Sequence, residues 1–164
     1  MTRFLEEKNA KQNYSELVGF RNLSWREKES ILHQGVRKMQ LSAFRELVQL
    51  NWQELAVLLA VTHRTLHLWR DNHKLADCYA DRFIQYVEVF SLLYNAITIH
   101  QQATLWLRTP CRELSGRKPL EILETYPGVM AVEFALKRKL AEKWHVDLPC
   151  NKSYQFTIKE ANTV

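Results

Sequence analysis

No proline occurs before Pro110 in this 164-residue chain, and this constrains the fold more than any other feature. Proline ends helices because it lacks an N–H and its ring clashes with the preceding turn. A long stretch without it is free to be helical wherever apolar residues recur at three and four steps. All four prolines, and the glycines Gly116 and Gly128, fall between Pro110 and Pro149. The chain therefore reads as all-α, with a helical N-terminal two-thirds and a turn-rich C-terminal third.

Local signals place the elements. Ser24-Trp25-Arg26-Glu27 is a capping-box pattern that starts a helix at about Trp25, running toward Val36. Ser42–Leu50 reads as the next helix, with Phe44, Leu47 and Val48 as its buried face. Asn51-Trp52-Gln53-Glu54 repeats the cap logic. From Asp77 onward Phe83, Val87, Phe90, Tyr94 and Ile97 mark a long amphipathic helix whose stripe is either core or a dimer seam. Pro119 suits the first position of a helix carrying Leu120, Ile122 and Leu123. Gly128 precedes another, lined by Val132, Leu136 and Leu140. Beyond it, Lys152–Val164 alternates Tyr154, Phe156 and Ile158 with polar residues. That segment reads either as a short edge strand or as a flexible tail that orders on a partner.

Composition narrows the function classes. Hydrophobic content of 46% with 25% charged residues suits a globular protein. No apolar run approaches the ~20 residues that span a bilayer, and the first residues lack a secretory apolar core. A cytoplasmic protein without a membrane partner is expected. Cys78, Cys111 and Cys150 form no Cys-x-x-Cys pair, so they read as reduced, incidental thiols. There is no Gly-rich phosphate loop and no nucleophile elbow. Glu54, Glu121 and Glu133 read as ordinary helix-surface residues. We expect no enzyme, no cofactor and no small-molecule substrate.

Trp52–Arg70 has the skeleton of a helix-turn-helix. Leu55, Ala56 and Leu59 lie on the first helix, Val61 in the turn, and Leu66 and Trp69 on the second. Ala56 is small where the helices cross. Thr62 can cap the second helix, so that His63, Arg64 and His67 face outward with Thr65 nearby. Arg64 suits a guanine edge, the imidazoles suit base edges, and Gln53 and Arg70 complete a candidate DNA face. The same shape also serves as a plain core unit. Ala60 stands where such turns usually place glycine, and a positive φ there would cost about 1–2 kcal/mol. The net charge is +5, but Arg64, Arg70 and Lys74 against Glu54 and Asp71 leave residues 51–74 at only +1. Phosphate contacts carry most DNA affinity, so a homodimer or higher assembly is expected. His63 and His67, with His73 and Cys78 near in sequence, sketch a zinc site. Nothing sets the spacing of a third and fourth ligand, so no metal is assigned.

A second motif follows: Trp106-Leu107-Arg108-Thr109-Pro110, then Leu114-Ser115-Gly116-Arg117-Lys118-Pro119-Leu120-Glu121-Ile122-Leu123, with Thr125, Gly128 and Val132 in register. This resembles the toxin-binding domain of Xre/MbcA/ParS antitoxins over about Ala103–Lys139. With the helix-turn-helix the likeness extends to Leu41–Lys139. Leu66-His67-Leu68-Trp69 departs from the family's Leu-x-Arg-Trp, so one basic contact is missing here. The resemblance divides the chain into residues 1–40, a helix-turn-helix domain with its linking helix at 41–100, a toxin-binding domain at 101–144 and a tail at 145–164.

The resemblance implies an antitoxin that neutralises a RES-type toxin, of a fold that resembles ADP-ribosyltransferases and consumes NAD or modifies proteins with it. It also implies binding to operator DNA to repress the operon. Candidate toxin contacts are Trp106, the turn residues Arg112, Ser115, Gly116, Arg117, Lys118 and Pro119, and Tyr154, Phe156 and Ile158 of the tail, which would block access to the toxin's NAD pocket. About half of Trp106, Leu107, Leu120 and Leu123 are expected in the core. Two rivals remain: a repressor without a toxin, its C-terminal module serving dimerisation, and an interaction module that has lost DNA binding.

Overall fold

A computed structural model describes Leu5 and residues 10–143 of the chain. Its helices are α1 (Ala10–Gly19), α2 (Trp25–Gln34), α3 (Lys38–Val48), α4 (Trp52–Leu59), α5 (His63–Leu68), α6 (Asp77–Ala96), α7 (His100–Arg108), α8 (Pro119–Ile122) and α9 (Tyr126–Lys143). Single 3-10 turns occupy Phe20–Asn22 and Arg112–Leu114. Among the described residues there is no strand, only isolated bridges joining Arg37 to Lys74 and Cys111 to Arg117. The fold is all-α. No helix described is long and apolar enough to cross a membrane.

The predicted long helix, α6, is the axis of the molecule. Phe83, Ile84, Val87, Val89, Phe90, Leu93 and Tyr94 are all buried, and they face more than one side. A helix apolar over most of its circumference has to be enclosed. Here α1, α2, α4, α7 and α9 pack around it. Phe44 of α3 meets Phe83 and Phe90 edge-on, at centroid distances of 5.3 and 5.2 Å. The stripe is thus core within one chain, with Ile97 half-buried just past the helix end. Ser91, fully buried, is satisfied: its hydroxyl donates to the Val18 carbonyl at 3.1 Å and accepts from the Arg21 N–H at 3.3 Å.

The predicted capping boxes form at both Ser24/Glu27 and Asn51/Glu54. Three boundaries differ from the sequence reading. Helix α3 starts at Lys38, four residues before Ser42, because the Lys38 and Met39 N–H groups find distant acceptors, the carbonyls of His73 and Asp71, both at 3.0 Å. Helix α9 starts at Tyr126, so Gly128 lies inside its first turn. Trp69 leaves α5 in an extended conformation rather than continuing it. Tyr154, Phe156, Ile158 and Cys150 lie outside the described residues, as does the expected strand or tail.

Candidate functional site

The helix-turn-helix is built from α4 and α5. Leu55, Ala56, Leu59 and Leu66 are buried and Val61 is half-buried, so the predicted skeleton seats the pair on the core. Ala60 ends α4 in the left-handed region at φ 54° and ψ 40°, and its N–H closes onto the Ala56 and Val57 carbonyls. A non-glycine residue is strained there. Thr62 then caps α5 by accepting from the Thr65 N–H at 3.0 Å, while the two hydroxyls lie 2.7 Å apart.

Gln53, Thr62, His63, Arg64, His67 and Arg70 are exposed, and Thr65 is half-buried. Leu68 is 71% exposed on the same short helix. Helix α5 has six residues, about 9 Å of length. It stops because Trp69 turns away to stack on His73, at 5.2 Å and 15° between planes, and to lean on Tyr79. Arg70 consequently stands in the turn after the helix. The His63 and His67 Nε2 atoms meet at 3.0 Å, and no third His, Cys, Asp or Glu joins them among the described residues.

Behind this face lies a cationic cluster that the sequence reading did not foresee. The Lys38 ammonium and the Arg45 guanidinium each sit 4.4 Å from the Trp52 ring centroid. Burial pushes the Lys38 ammonium below its ordinary pKa, with Asp71 opposing the shift.

In the C-terminal module, Leu107, Leu114, Pro119, Ile122, Leu123, Val129, Val132 and Leu136 are buried, whereas Trp106 and Leu120 are half-buried. The Trp106 indole N–H is buried without a hydrogen-bond partner among the described residues. Between α7 and α8 the chain makes a tight hairpin. Cys111 N–H donates to the Arg117 carbonyl at 3.0 Å and Gly116 N–H to the Cys111 carbonyl at 2.9 Å. Ser115 at φ 57° and Gly116 at φ 76° provide the two left-handed residues that reverse the backbone. Leu114 plugs inward against α9, leaving Arg112, Ser115, Gly116 and Arg117 exposed. Lys118 is half-buried and pairs with Glu121 at 2.9 Å, which holds that carboxyl below the ordinary range. Gly128 is required: a Cβ there would stand 1.7 Å from the Ile122 carbonyl oxygen.

The two modules share one continuous core and a polar seam. Arg108 of α7 donates to both Glu54 carboxylate oxygens, at 3.2 and 3.1 Å, and to the Gln49 carbonyl at 2.9 Å. Arg82 of α6 bridges the Leu58 carbonyl (2.5 Å) and the Glu124 carbonyl (2.6 Å). Beside it, the Tyr86 hydroxyl donates to the Leu123 carbonyl at 2.8 Å, and burial pushes this phenol up in pKa. The sequence reading gave none of these pairings, and took Glu54 for an ordinary helix-surface residue, because each partner is distant along the chain.

Residues 100–138 match the antitoxin Xre/MbcA/ParS C-terminal toxin-binding domain. No curated protein matches the chain. The matched residues begin at α7, take in the hairpin and α8, and end within α9, so they coincide with the module described above. A toxin partner follows from that domain. Over residues 100–138 the chain is thus similar to the C-terminal toxin-binding domain of Xre/MbcA/ParS antitoxins.

Proposed function

We propose that this chain is an antitoxin that neutralises a RES-type toxin, NAD-consuming or ADP-ribosyltransferase-like, in the cytoplasm and represses its own operon by presenting α5 to operator DNA. The observation that carries the reading is the union of two surfaces on one core: a toxin-binding domain, and a capped helix whose Arg64, His63 and His67 all face solvent. The RES class rests on the family resemblance in the sequence. Gln53, Thr62, Thr65 and Arg70 would serve the DNA face beside those three residues. Trp106, Arg112, Ser115, Gly116, Arg117, Lys118 and Pro119 belong to the toxin side. With Pro119 buried at the start of α8, its part is to hold the hairpin rather than to touch the partner. The chain acts by binding and not by catalysis. The low charge of residues 51–74 calls for two or more copies on the operator.

The test is co-expression with the product of the adjacent reading frame, scoring growth, cellular NAD and co-purification. Rescue of growth and NAD by a stoichiometric complex supports neutralisation of an NAD-consuming toxin. A harmless neighbour and no complex would favour a repressor without a toxin. Operator binding by the purified protein then decides autorepression.

A further inference from the structure

Helix α9 is apolar on two opposite sides, and the described residues cover only one of them. Gly128, Val129, Val132, Ala135 and Leu136 are buried against α6 and its neighbours. On the opposite side Tyr126, Met130 and Phe134 repeat at four-residue spacing, which stacks them one above the other. They are 67%, 46% and 52% exposed. A surface helix ordinarily turns charge toward solvent, so a second apolar stripe marks a face meant to be covered.

We propose that Tyr126, Met130 and Phe134 form the apolar seat on which the toxin docks. This rests on the toxin-binding reading of residues 100–138, and it assigns the contact to one face of one helix. The whole stripe lies inside the matched residues, whereas the other large apolar side chains of α8 and α9 in that segment turn at least partly inward. The charged residues beside it are already paired: Lys137 with Glu133 at 3.1 Å and Arg138 with Glu142 at 3.9 Å. A face of aromatic and Met side chains edged by neutralised ion pairs suits a protein surface. It offers little to the phosphates of a nucleic acid. Aromatic anchors at the centre of a protein interface carry most of its affinity, and Met adapts to an irregular partner surface.

The test uses the full-length chain and its co-expressed toxin. Met130→Asp combined with Phe134→Asp should weaken the purified complex at least about 100-fold, with Phe134→Ala intermediate and Trp25→Ala, on exposed α2, unchanged. Helical circular dichroism and the melting temperature should stay within those of the parent protein, because both positions face solvent. If the parent binds the toxin and the double variant binds equally well, the proposal is overturned. It is equally overturned if the double variant loses self-association while keeping the toxin, since the face would then belong to a second copy. If the parent itself binds no toxin, the toxin-binding reading fails before the surface is at issue.

Discussion

Arg108 and Glu54 stand 3.1 Å apart across the seam between the toxin-binding domain and the helix-turn-helix. Glu54 also accepts from the Asn51 N–H at 2.8 Å as one half of the capping box that starts α4. One carboxylate therefore serves both the cap of α4 and the junction. Arg82 repeats the arrangement at the other end of α4, where it holds the Leu58 carbonyl and reaches Glu124. Guanidinium groups thus tie both ends of α4 to the C-terminal module.

Breaking these ties should separate the two contributions. Arg82→Met leaves two carbonyls without their donor and should cost about 2 kcal/mol, read as a lower urea midpoint at unchanged slope. Arg108→Met is partly screened by solvent and should cost about 1 kcal/mol. A double-mutant cycle with Glu54→Gln should return a coupling of about 0.5–1 kcal/mol.

Ala60 pays a left-handed backbone penalty that glycine would avoid. The expected relief of about 1–2 kcal/mol is offset in part by the greater unfolded-state freedom of glycine. Ala60→Gly should thus stabilise the protein by about 0.5–1 kcal/mol, visible as a rise in melting temperature.

Gly128→Ala should do the opposite. The added methyl meets a backbone carbonyl at 1.7 Å, and backbone cannot yield as a side-chain tip can. A loss of about 3 kcal/mol or more is expected from chemical denaturation, since α8 and α9 must part to admit it.

Arg64→Ala tests the exposed face of α5. A true base contact should cost about 1–3 kcal/mol of operator affinity in a fluorescence titration at fixed salt, with folding unaffected. An unchanged affinity would remove Arg64 from the recognition face.

Stability at high pH should follow the buried phenols. Burial raises the pKa of both Tyr86 and Tyr94 above the ordinary value of 10.0, and Tyr94 is also raised by Tyr14. Below pH 10 the phenols are protonated in either state and their contribution is complete. Above it the unfolded chain ionises first, so stability falls as pH rises. Urea midpoints should decline above pH 10. Tyr94→Phe should flatten that decline while costing about 1 kcal/mol at neutral pH, through loss of the hydroxyl's contact with His100 Nδ1 at 3.1 Å.

Much of the scaffold was legible because it is written in local patterns. Ser24/Glu27 and Asn51/Glu54 are cap residues three apart, and both boxes form. Phe83, Val87, Phe90 and Tyr94 recur at helical spacing and are buried. Trp106 through Val132 carries enough residues in register to identify the domain. The candidate site was less legible. The exposed positions on α5 follow from the cap at Thr62, but its early end depends on a stack between Trp69 and His73. Cys111 through Arg117 read as a turn, yet Leu114 inside it is a core plug against α9.

By itself, then, the sequence determined the all-α class, the capped helix starts, the helix-turn-helix skeleton and the family of the C-terminal domain. These depend on neighbours within one or two helical turns. Only the tertiary structure decided that α3 begins at Lys38, that Arg108 finds Glu54, and that Arg82 spans two modules. Each of these needs a partner tens of residues away. It also decided which side of α9 the described residues leave uncovered. With apolar residues on both sides the helix has almost no preferred face of its own, and packing on α6 settled which stripe went inside.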